Sequence, residues 1–408
     1  MPTLPLLTDP PNPNGSHRLL APGGYEGWSF DASSDDGALH LVAGLHAADA
    51  LDADYARAYA RYRRRPTRVT PPAPGDFAAV TFALFEKGRQ PVRFTARGTA
   101  AGEVLIAPTG DSVRIGGSHG IRSPDGRSVQ LNLRGVDDGR TIAVNLTFRS
   151  LGPVDREVAL LGPAATRPGV GDDLGDDPRR ASGDGHTSGD GREPHGDGRE
   201  THGGDQTGGG HGTRGGDTRF ARGFGLHRWV IADPMCDVNG EIAIFDGTGG
   251  PPRTVPLAGS GFCDHAYGTR PLAGAAAVWF TGRAIFEDRV IAFRQVGDAA
   301  EGHLVTAIAR AAAVTASAPV SDATESAATV ETTFSRVPVD EALRAAARRR
   351  VHADRIDLGP LHLEYPQVLD AGEHERVVLY TASAAGQRGT ALCRVLQPPA
   401  VRSRFLWG

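Results

Sequence analysis

FAAVTFALFEKG (residues 77–88) and TIAVNLTFRS (residues 141–150) alternate apolar with polar or small side chains, a pattern typical of β-strands with one buried face. Further short runs of the same kind lie between and after them: QPVRFTARG (90–98), GEVLIAP (102–108), DSVRIGG (111–117), SVQLNLRG (128–135) and REVALLG (156–162). Gly, Asp, Ser and Pro separate these runs. Because no strand–helix–strand rhythm is visible, the series predicts an all-β, antiparallel sandwich or barrel.

The chain of 408 residues is long enough for two domains, and its pattern divides it into four segments. We predict a flexible N-terminus at 1–20, a first β domain at 21–162, a linker at 163–219 and a second β domain at 220–408. The linker is rich in Gly, Asp and His and has almost no apolar side chains, so it is predicted to be disordered. Its scattered histidines lie in flexible sequence without fixed geometry, so no metal site is predicted: His186, His195, His202 and His211.

Two stretches carry helical patterns. In ALDADYARAYARYRRR (residues 50–65), Leu51, Tyr55, Tyr59 and Tyr62 recur on one face, with arginines around them. The tyrosines could pack on the β domain and leave a solvated basic face, or the basic face could make a peripheral contact with an anionic membrane surface. A second stretch, EALRAAARRRV (residues 341–351), is interpreted as a short helix or a basic surface segment.

Composition and charge narrow the class of protein. The formal net charge of -4 gives no general attraction to nucleic acid, so no nucleic-acid partner is expected. No apolar run reaches the ~20 residues of a membrane helix, and the first residues do not resemble a signal peptide. Cys236, Cys263 and Cys393 form no CxxC pair, which favours reduced thiols and a cytoplasmic location.

The stretch GSGFCDHAYG (residues 259–268) concentrates aromatic and ionisable side chains. In a strand, Phe262 and Asp264 share one face, and Cys263 and His265 share the other. An aspartate in a domain interior is costly as an unpaired anion. It could therefore pair with His265 or Arg270 in a structural role, or take up a proton and serve as a general acid.

A second candidate pair, His227 and Trp229, directly follows the linker. The two side chains share one face if this segment is extended. From the residues alone, Trp229 could simply pack in the core, and His227 could be a hydrogen-bonded core histidine. A role in chemistry is the alternative.

Four segments together give the chain a resemblance to the carotenoid 1,2-hydratases (hydroxyneurosporene synthases), and more distantly to AttH-like and fungal Diels–Alderase proteins. The segments are APGGYEGWSFDASSDDG (21–37), FAAVTFALFEKG (77–88), HRWVIADPMCDVNGEIAIF (227–245) and GSGFCDHAYGTRPL (259–272). The last segment resembles the G-x-G-Y-x-D-x-N-x-G signature of the hydratases. The similarity runs from about Ala21 to Arg310 without the linker, and it implies two lipocalin-like β domains.

The resemblance also implies a functional core. The family's His-x-Trp and Tyr-x-Asp pairs correspond here to His227, Trp229 and Asp264. The chain departs from the family at two positions: Phe262 stands at the tyrosine, and Ala266 stands at the asparagine. Loss of the phenol hydroxyl removes a hydrogen-bond partner but leaves the aromatic ring face in place.

By this resemblance, Asp264 protonates the terminal double bond of an acyclic carotenoid or related isoprenoid. Trp229 and Phe262 then stabilise the tertiary cation through their ring faces, water adds, and His227 orients Asp264 or accepts the proton. No metal or organic cofactor is implied. The residues expected to bind the polyene are the nearby aromatics Tyr25, Trp28, Tyr267 and Trp279.

Two other functions remain open at this stage. A cyclase or isomerase of the same architecture would fold the polyene and exclude water. A carrier would bind the lipid without chemistry, because a fold does not determine a function. The leading hypothesis is a hydratase, which is a carbon–oxygen lyase.

Overall fold

A computed structural model of the chain describes most of the residues outside the predicted linker. The described residues are 16–17, 21–97, 104–107, 109–152, 156–161, 227–273, 278–296, 301–310, 329–349, 351–372 and 375–397. The linker at 163–219, with its four histidines, lies outside them. Of the predicted flexible N-terminus, the structure describes Ser16 and His17, and both are buried.

The described strands form two curled antiparallel sheets, which confirms the all-β, lipocalin-like prediction. The first sheet has twelve strands: β1 (Tyr25–Ser34), β2 (Leu39–His46), β3 (Ala79–Glu86), β4 (Val92–Arg97), β5 (Val104–Ile106), β6 (Ser112–Ile115), β7 (Ser118–Arg122), β8 (Ser128–Asp137), β9 (Arg140–Ser150), β10 (Arg156–Leu161), β11 (His227–Phe245) and β12 (Arg253–Gly268). Its order is β4-β3-β2-β1-β12-β11-β9-β8-β7-β6-β5, with β10 paired to β11.

The second sheet has eight strands: β13 (Trp279–Ile285), β14 (Arg289–Val296), β15 (Glu301–Arg310), β16 (Thr329–Pro338), β17 (Arg355–Leu358), β18 (Leu361–Ala371), β19 (Glu375–Ala384) and β20 (Gln387–Leu396). Its order is β16-β15-β14-β13-β20-β19-β18-β17. Two α-helices, α1 (Ala53–Arg64) and α2 (Glu341–Arg349), and a 3₁₀ helix at Pro74–Phe77 complete the described elements. No helix in these ranges has the length and apolar character that crossing a membrane requires.

The boundary between the sheets differs from the expected domain boundary at residue 220. Strands β11 and β12, which follow the linker, belong to the first sheet, where β12 pairs with β1 and β11 pairs with β9. The second sheet begins only at Trp279. Strand pairing is non-local, and closing a longer loop adds little entropic cost, so linear order does not reveal which sheet a strand joins.

Each sheet encloses its own hydrophobic core. The first core includes Phe30, Leu41, Phe82 and Phe148, and the second includes Phe280, Phe293 and Tyr380. A smaller cluster joins the two sheets, where Trp229 and Phe262 of the first meet Ala292 and Val305 of the second. The two sheets therefore share a packed interface in addition to their separate cores.

Helix α1 confirms the prediction at 50–65. Asp52 is its N-cap, and the side chain accepts hydrogen bonds from the backbone N–H groups of Asp54 (2.6 Å) and Tyr55 (2.9 Å). Tyr55 and Tyr59 are buried, and Tyr55 packs with Trp279. The arginines of the helix are exposed. The tyrosine face thus packs against the β structure, and the basic face lies in solvent.

The three cysteines lie in the interior. Cys236, Cys263 and Cys393 are buried free thiols. Burial raises the pKa of Cys263 and Cys393 above the ordinary value of a thiol, so neither is a reactive thiolate at neutral pH.

Candidate active site

A cavity of about 370 Å³ lies between the two sheets. The first sheet contributes Tyr25 and Asp31 of β1 and Asp264 of β12, and the second contributes Trp279 of β13 and Arg294 of β14. This volume falls in the ordinary range of small-molecule sites, about 300–1,000 Å³. The candidate site is therefore at the sheet interface, outside the core of either sheet.

Strand alternation explains which side chains reach the cavity. Strands β1 and β12 are antiparallel neighbours with Ser29 opposite Asp264 and Asp31 opposite Phe262. All four residues line the cavity. Cys263, the residue between Phe262 and Asp264, instead packs in the first core. The predicted division of β12 into two faces is thus confirmed.

Asp264 is held by two donors. Its Oδ2 accepts a hydrogen bond of 2.7 Å from the indole Nε1 of Trp229 and one of 3.2 Å from Nη2 of Arg294. The Arg294 guanidinium also lies 4.5 Å from the centre of the Trp229 ring. Oδ1 of Asp264 has no hydrogen-bond partner within the part of the chain that the structure describes. The carboxyl group therefore has one hydrogen-bonded oxygen and one buried oxygen without a partner among the described residues.

Arg294 was not found from the sequence, which offered His265 and Arg270 as partners of Asp264. In the structure His265 stacks on Trp28 at 4.6 Å between ring centroids. Arg270 lies near Tyr59 of α1. Burial lowers the pKa of Arg270, and Tyr59 opposes that effect. Arg294 comes from β14, thirty residues after Asp264. Burial lowers the pKa of this guanidinium, and the charge of Asp264 opposes that effect.

A second carboxyl group, Asp31, lines the same cavity. The Nη2 atom of the fully buried Arg283 lies 2.6 Å from Asp31 Oδ1. Burial raises the pKa of Asp31 to about 6, against the lowering effect of Arg283 and with a further increase from the charge of Asp264. Asp31 stands in the first segment that carries the family resemblance, but no local pattern distinguishes it from the neighbouring polar residues.

A histidine at the cavity wall was also not found from the sequence. His46, the last residue of β2, lies over two glycines: a Cβ at Gly27 would be 2.6 Å from His46 Nδ1, and one at Gly44 would meet Nε2. Nε2 lies 3.3 Å from Thr81 Oγ1. Burial lowers the pKa of His46 below its ordinary 6.5, although Asp49 opposes this. The absence of side chains at Gly27 and Gly44 is what makes room for the imidazole.

The predicted catalytic histidine, His227, is fully buried. Its Nδ1 lies 3.0 Å from Tyr25 Oη, and the two rings stack with centroids 5.7 Å apart. Tyr25 lines the cavity and connects His227 to it. Burial raises the pKa of Tyr25 above its ordinary value, so the phenol is neutral and can donate or accept a hydrogen bond.

The four predicted polyene-binding aromatics divide into two groups. Tyr25 and Trp279 line the cavity. Trp28 packs against the first core, and Tyr267 stacks on His17 at 3.7 Å, on the other face of the sheet. The reason is parity: Trp28 is three residues from Tyr25, and Tyr267 is three from Asp264, so each points away from the cavity.

Comparisons of the sequence with known proteins find a distant curated relative. No family model matches the chain. A hydroxyneurosporene dehydrogenase of Chlorobaculum tepidum is 23% identical over 272 residues, which is 65% of this chain and 55% of that protein. The chain thus matches only about half the length of this relative.

Solved structures match over a larger part of the chain. An AttH structure from Nitrosomonas europaea covers 95% of this chain and 96% of its own, with a TM-score of 0.50 and 13% identity. CghA, solved with Sch210972, covers 96% of this chain and 94% of its own at 13% identity, with a lower TM-score of 0.46. The chain therefore has the two-sheet, lipocalin-like β fold of the AttH-like proteins.

Proposed function

We propose that this chain is an enzyme that adds water to a terminal carbon–carbon double bond of an acyclic carotenoid or related isoprenoid. The observation that carries the proposal is a cavity whose lining places the carboxyl groups of Asp31 and Asp264 beside the aromatic side chains of Phe262 and Trp279. Hydration of an unactivated alkene requires a proton donor and a means of stabilising a carbocation, and this set of groups supplies both.

The cavity suits the end of a long isoprenoid. Its volume of about 370 Å³ is at the lower end of the usual range for ligand sites. Apolar side chains such as Phe262, Leu272 and Trp279 line it beside the acids. A reacting end group would be enclosed, and the remaining polyene would extend from the opening.

Asp264 has contacts that fit a carboxylate next to a developing positive charge. The resemblance to the hydratases assigns protonation to Asp264. In the structure its Oδ2 already accepts hydrogen bonds from Trp229 and Arg294, and Oδ1 remains free of hydrogen bonds to described residues. We propose that Asp264 stabilises the cation electrostatically, together with the ring face of Phe262, which lines the cavity.

The name of the curated relative bears on the choice of isoprenoids. It is called a hydroxyneurosporene dehydrogenase, so it is named for a hydroxylated acyclic isoprenoid. A dehydrogenase removes hydrogen from its substrate, whereas the reaction proposed for this chain adds water. The two differ in the mass of the product, which makes the proposal directly testable.

The test is expression of the chain in bacteria that accumulate lycopene or neurosporene, followed by mass spectrometry of the pigments. Hydration predicts a product heavier by one water, which is lost in Asp264→Asn while pigment still copurifies with the variant. A product lighter by two hydrogens contradicts hydration in favour of dehydrogenation. A product of unchanged mass and altered retention supports a cyclase or isomerase, and unchanged copurifying pigment supports a carrier.

A further inference from the structure

Two ionisable side chains that the resemblance does not assign face the cavity from β1 and β2, and the site already has its cation-stabilising carboxylate in Asp264. Asp31 and His46 both line the cavity. They approach it from the same wall, because β1 and β2 are paired with Gly27 opposite His46 and Ser29 opposite Gly44.

The register gives the spacing of the two groups. The imidazole of His46 lies over Gly27 and Gly44, and Gly44 is the partner of Ser29. Asp31 stands two residues beyond Ser29 on the same face, a rise of about 7 Å. Such a gap leaves room for a reacting carbon and a water molecule between a donor and an acceptor.

Asp264 completes this arrangement from the other side. It is the β12 partner of Ser29, whereas Asp31 is the partner of Phe262. Diagonal neighbours in an antiparallel pair are about 7–8 Å apart. A double bond placed above Ser29 is therefore bordered by Asp31, His46 and Asp264.

We propose that Asp31 is the proton donor and His46 the proton acceptor of this cavity. The assignment rests on the proposed hydration of an alkene. The π electrons of the alkene take the proton of the Asp31 carboxyl group, which leaves a tertiary cation and the Asp31 carboxylate. The oxygen of water bonds to the cation, and the resulting oxonium gives its extra proton to the His46 imidazole. Return of that proton to Asp31 through water restores both groups, and the net change is alkene plus water to alcohol.

The charges around each group are compatible with these roles. Asp31 is faced by Arg283 of β13, Asp264 of β12 and Arg394 of β20, and burial is the largest of the effects that raise its pKa to about 6. His46 shares two of these neighbours, Arg394 and Asp264, and is also faced by Asp49 and Glu375. Burial keeps the imidazole neutral at neutral pH, which a base requires.

The experiment compares four variants of the full chain in the pigment assay, with the ratio of hydrated to isomerised product as the readout. Asp31→Asn cannot protonate the alkene, and we expect the yield of both products to fall by about a hundredfold or more. His46→Gln still allows the cation to form, but the cation then loses a proton to give an isomer more often, so the hydrated fraction falls. Asp35→Asn on the exposed turn between β1 and β2 and His40→Gln on the same strand as His46 are the matched controls, because neither residue lines the cavity.

The outcomes separate this assignment from the proposed function. If the unmodified protein forms the alcohol and Asp31→Asn retains a tenth or more of that yield, the assignment of the donor is overturned. An unchanged product ratio in His46→Gln overturns the assignment of the acceptor. This test does not depend on Asp31→Asn, so it remains decisive if that variant does not fold. If the unmodified protein forms no alcohol, the hydratase proposal fails and the pair fails with it.

Discussion

The indole Nε1 of Trp229 donates a hydrogen bond of 2.7 Å to Oδ2 of Asp264, 35 residues away in the sequence. The bond spans β11 and β12, in which Trp229 is opposite Ala266 and Ile231 is opposite Asp264. The two residues are thus diagonal neighbours on one sheet face. The hydrogen bond from Trp229 thus orients the carboxyl group of Asp264 at the cavity wall.

Removal of this donor tests its importance. We predict that Trp229→Phe lowers activity about tenfold or more, because a buried charged acceptor loses one of its two donors, a loss of about 1–3 kcal/mol. Trp28→Phe is the matched control, since Trp28 packs against the first core on the face of the sheet away from the cavity. Rates at saturating substrate distinguish the variants, and equal losses in both would show that only ring volume matters.

The first glycine of the G-x-G signature has a structural role that can be tested separately from catalysis. A Cβ at Gly259 would lie 2.1 Å from the backbone oxygen of Ser33 on β1, so Gly259 allows the close pairing of β12 with β1. We predict that Gly259→Ala lowers the free energy of unfolding by about 1–3 kcal/mol or prevents folding. Gly250→Ala, whose Cβ would meet only Thr248 Oγ1 at 3.7 Å, should melt like the unmodified protein, and a similar melting temperature for both variants would contradict this account.

The raised pKa of Asp31 predicts a pH dependence of stability. The carboxyl pKa is about 6 in the folded chain against an ordinary 3.8, so the folded state holds the proton more tightly than the unfolded state. The stability that this provides is present below about pH 3.8 and is lost as the pH rises through 6. The side chain of Asp31 is only 17% exposed, and the shift corresponds to about 3 kcal/mol.

The Asp31→Asn variant should therefore become more stable, relative to the unmodified protein, as the pH rises. We predict that the difference in unfolding free energy, variant minus unmodified, increases by about 2–3 kcal/mol between pH 4 and pH 7. Urea titrations at both pH values measure it. The effect of Arg283 is already contained in the pKa of Asp31, and a difference independent of pH would place that pKa near its ordinary value.

Local periodicity was enough to predict the individual elements. Helix α1 followed from the spacing of Tyr55 and Tyr59, and the two faces of β12 followed from alternation at Phe262 and Asp264. The same parity could have placed Trp28 and Tyr267 on the face away from the cavity. The expectation that Trp28 and Tyr267 line the cavity did not take this alternation into account.

The partners of the site could not be predicted, because they come from pairing between distant strands. Arg294 reaches Asp264 from the second sheet, and Arg283 reaches Asp31 in the same way. His46 becomes part of the cavity only because Gly27 and Gly44 leave space for its ring. Neither the order of strands in a sheet nor the packing of two sheets can be derived from a local pattern.

The most direct test of the central claim, protonation of an alkene followed by addition of water, is turnover of an acyclic isoprenoid in heavy water. We predict an alcohol that carries one non-exchangeable deuterium on the carbon next to the one bearing the hydroxyl group. An alcohol without deuterium at that carbon, or a product that has lost hydrogen and gained no oxygen, would contradict the account.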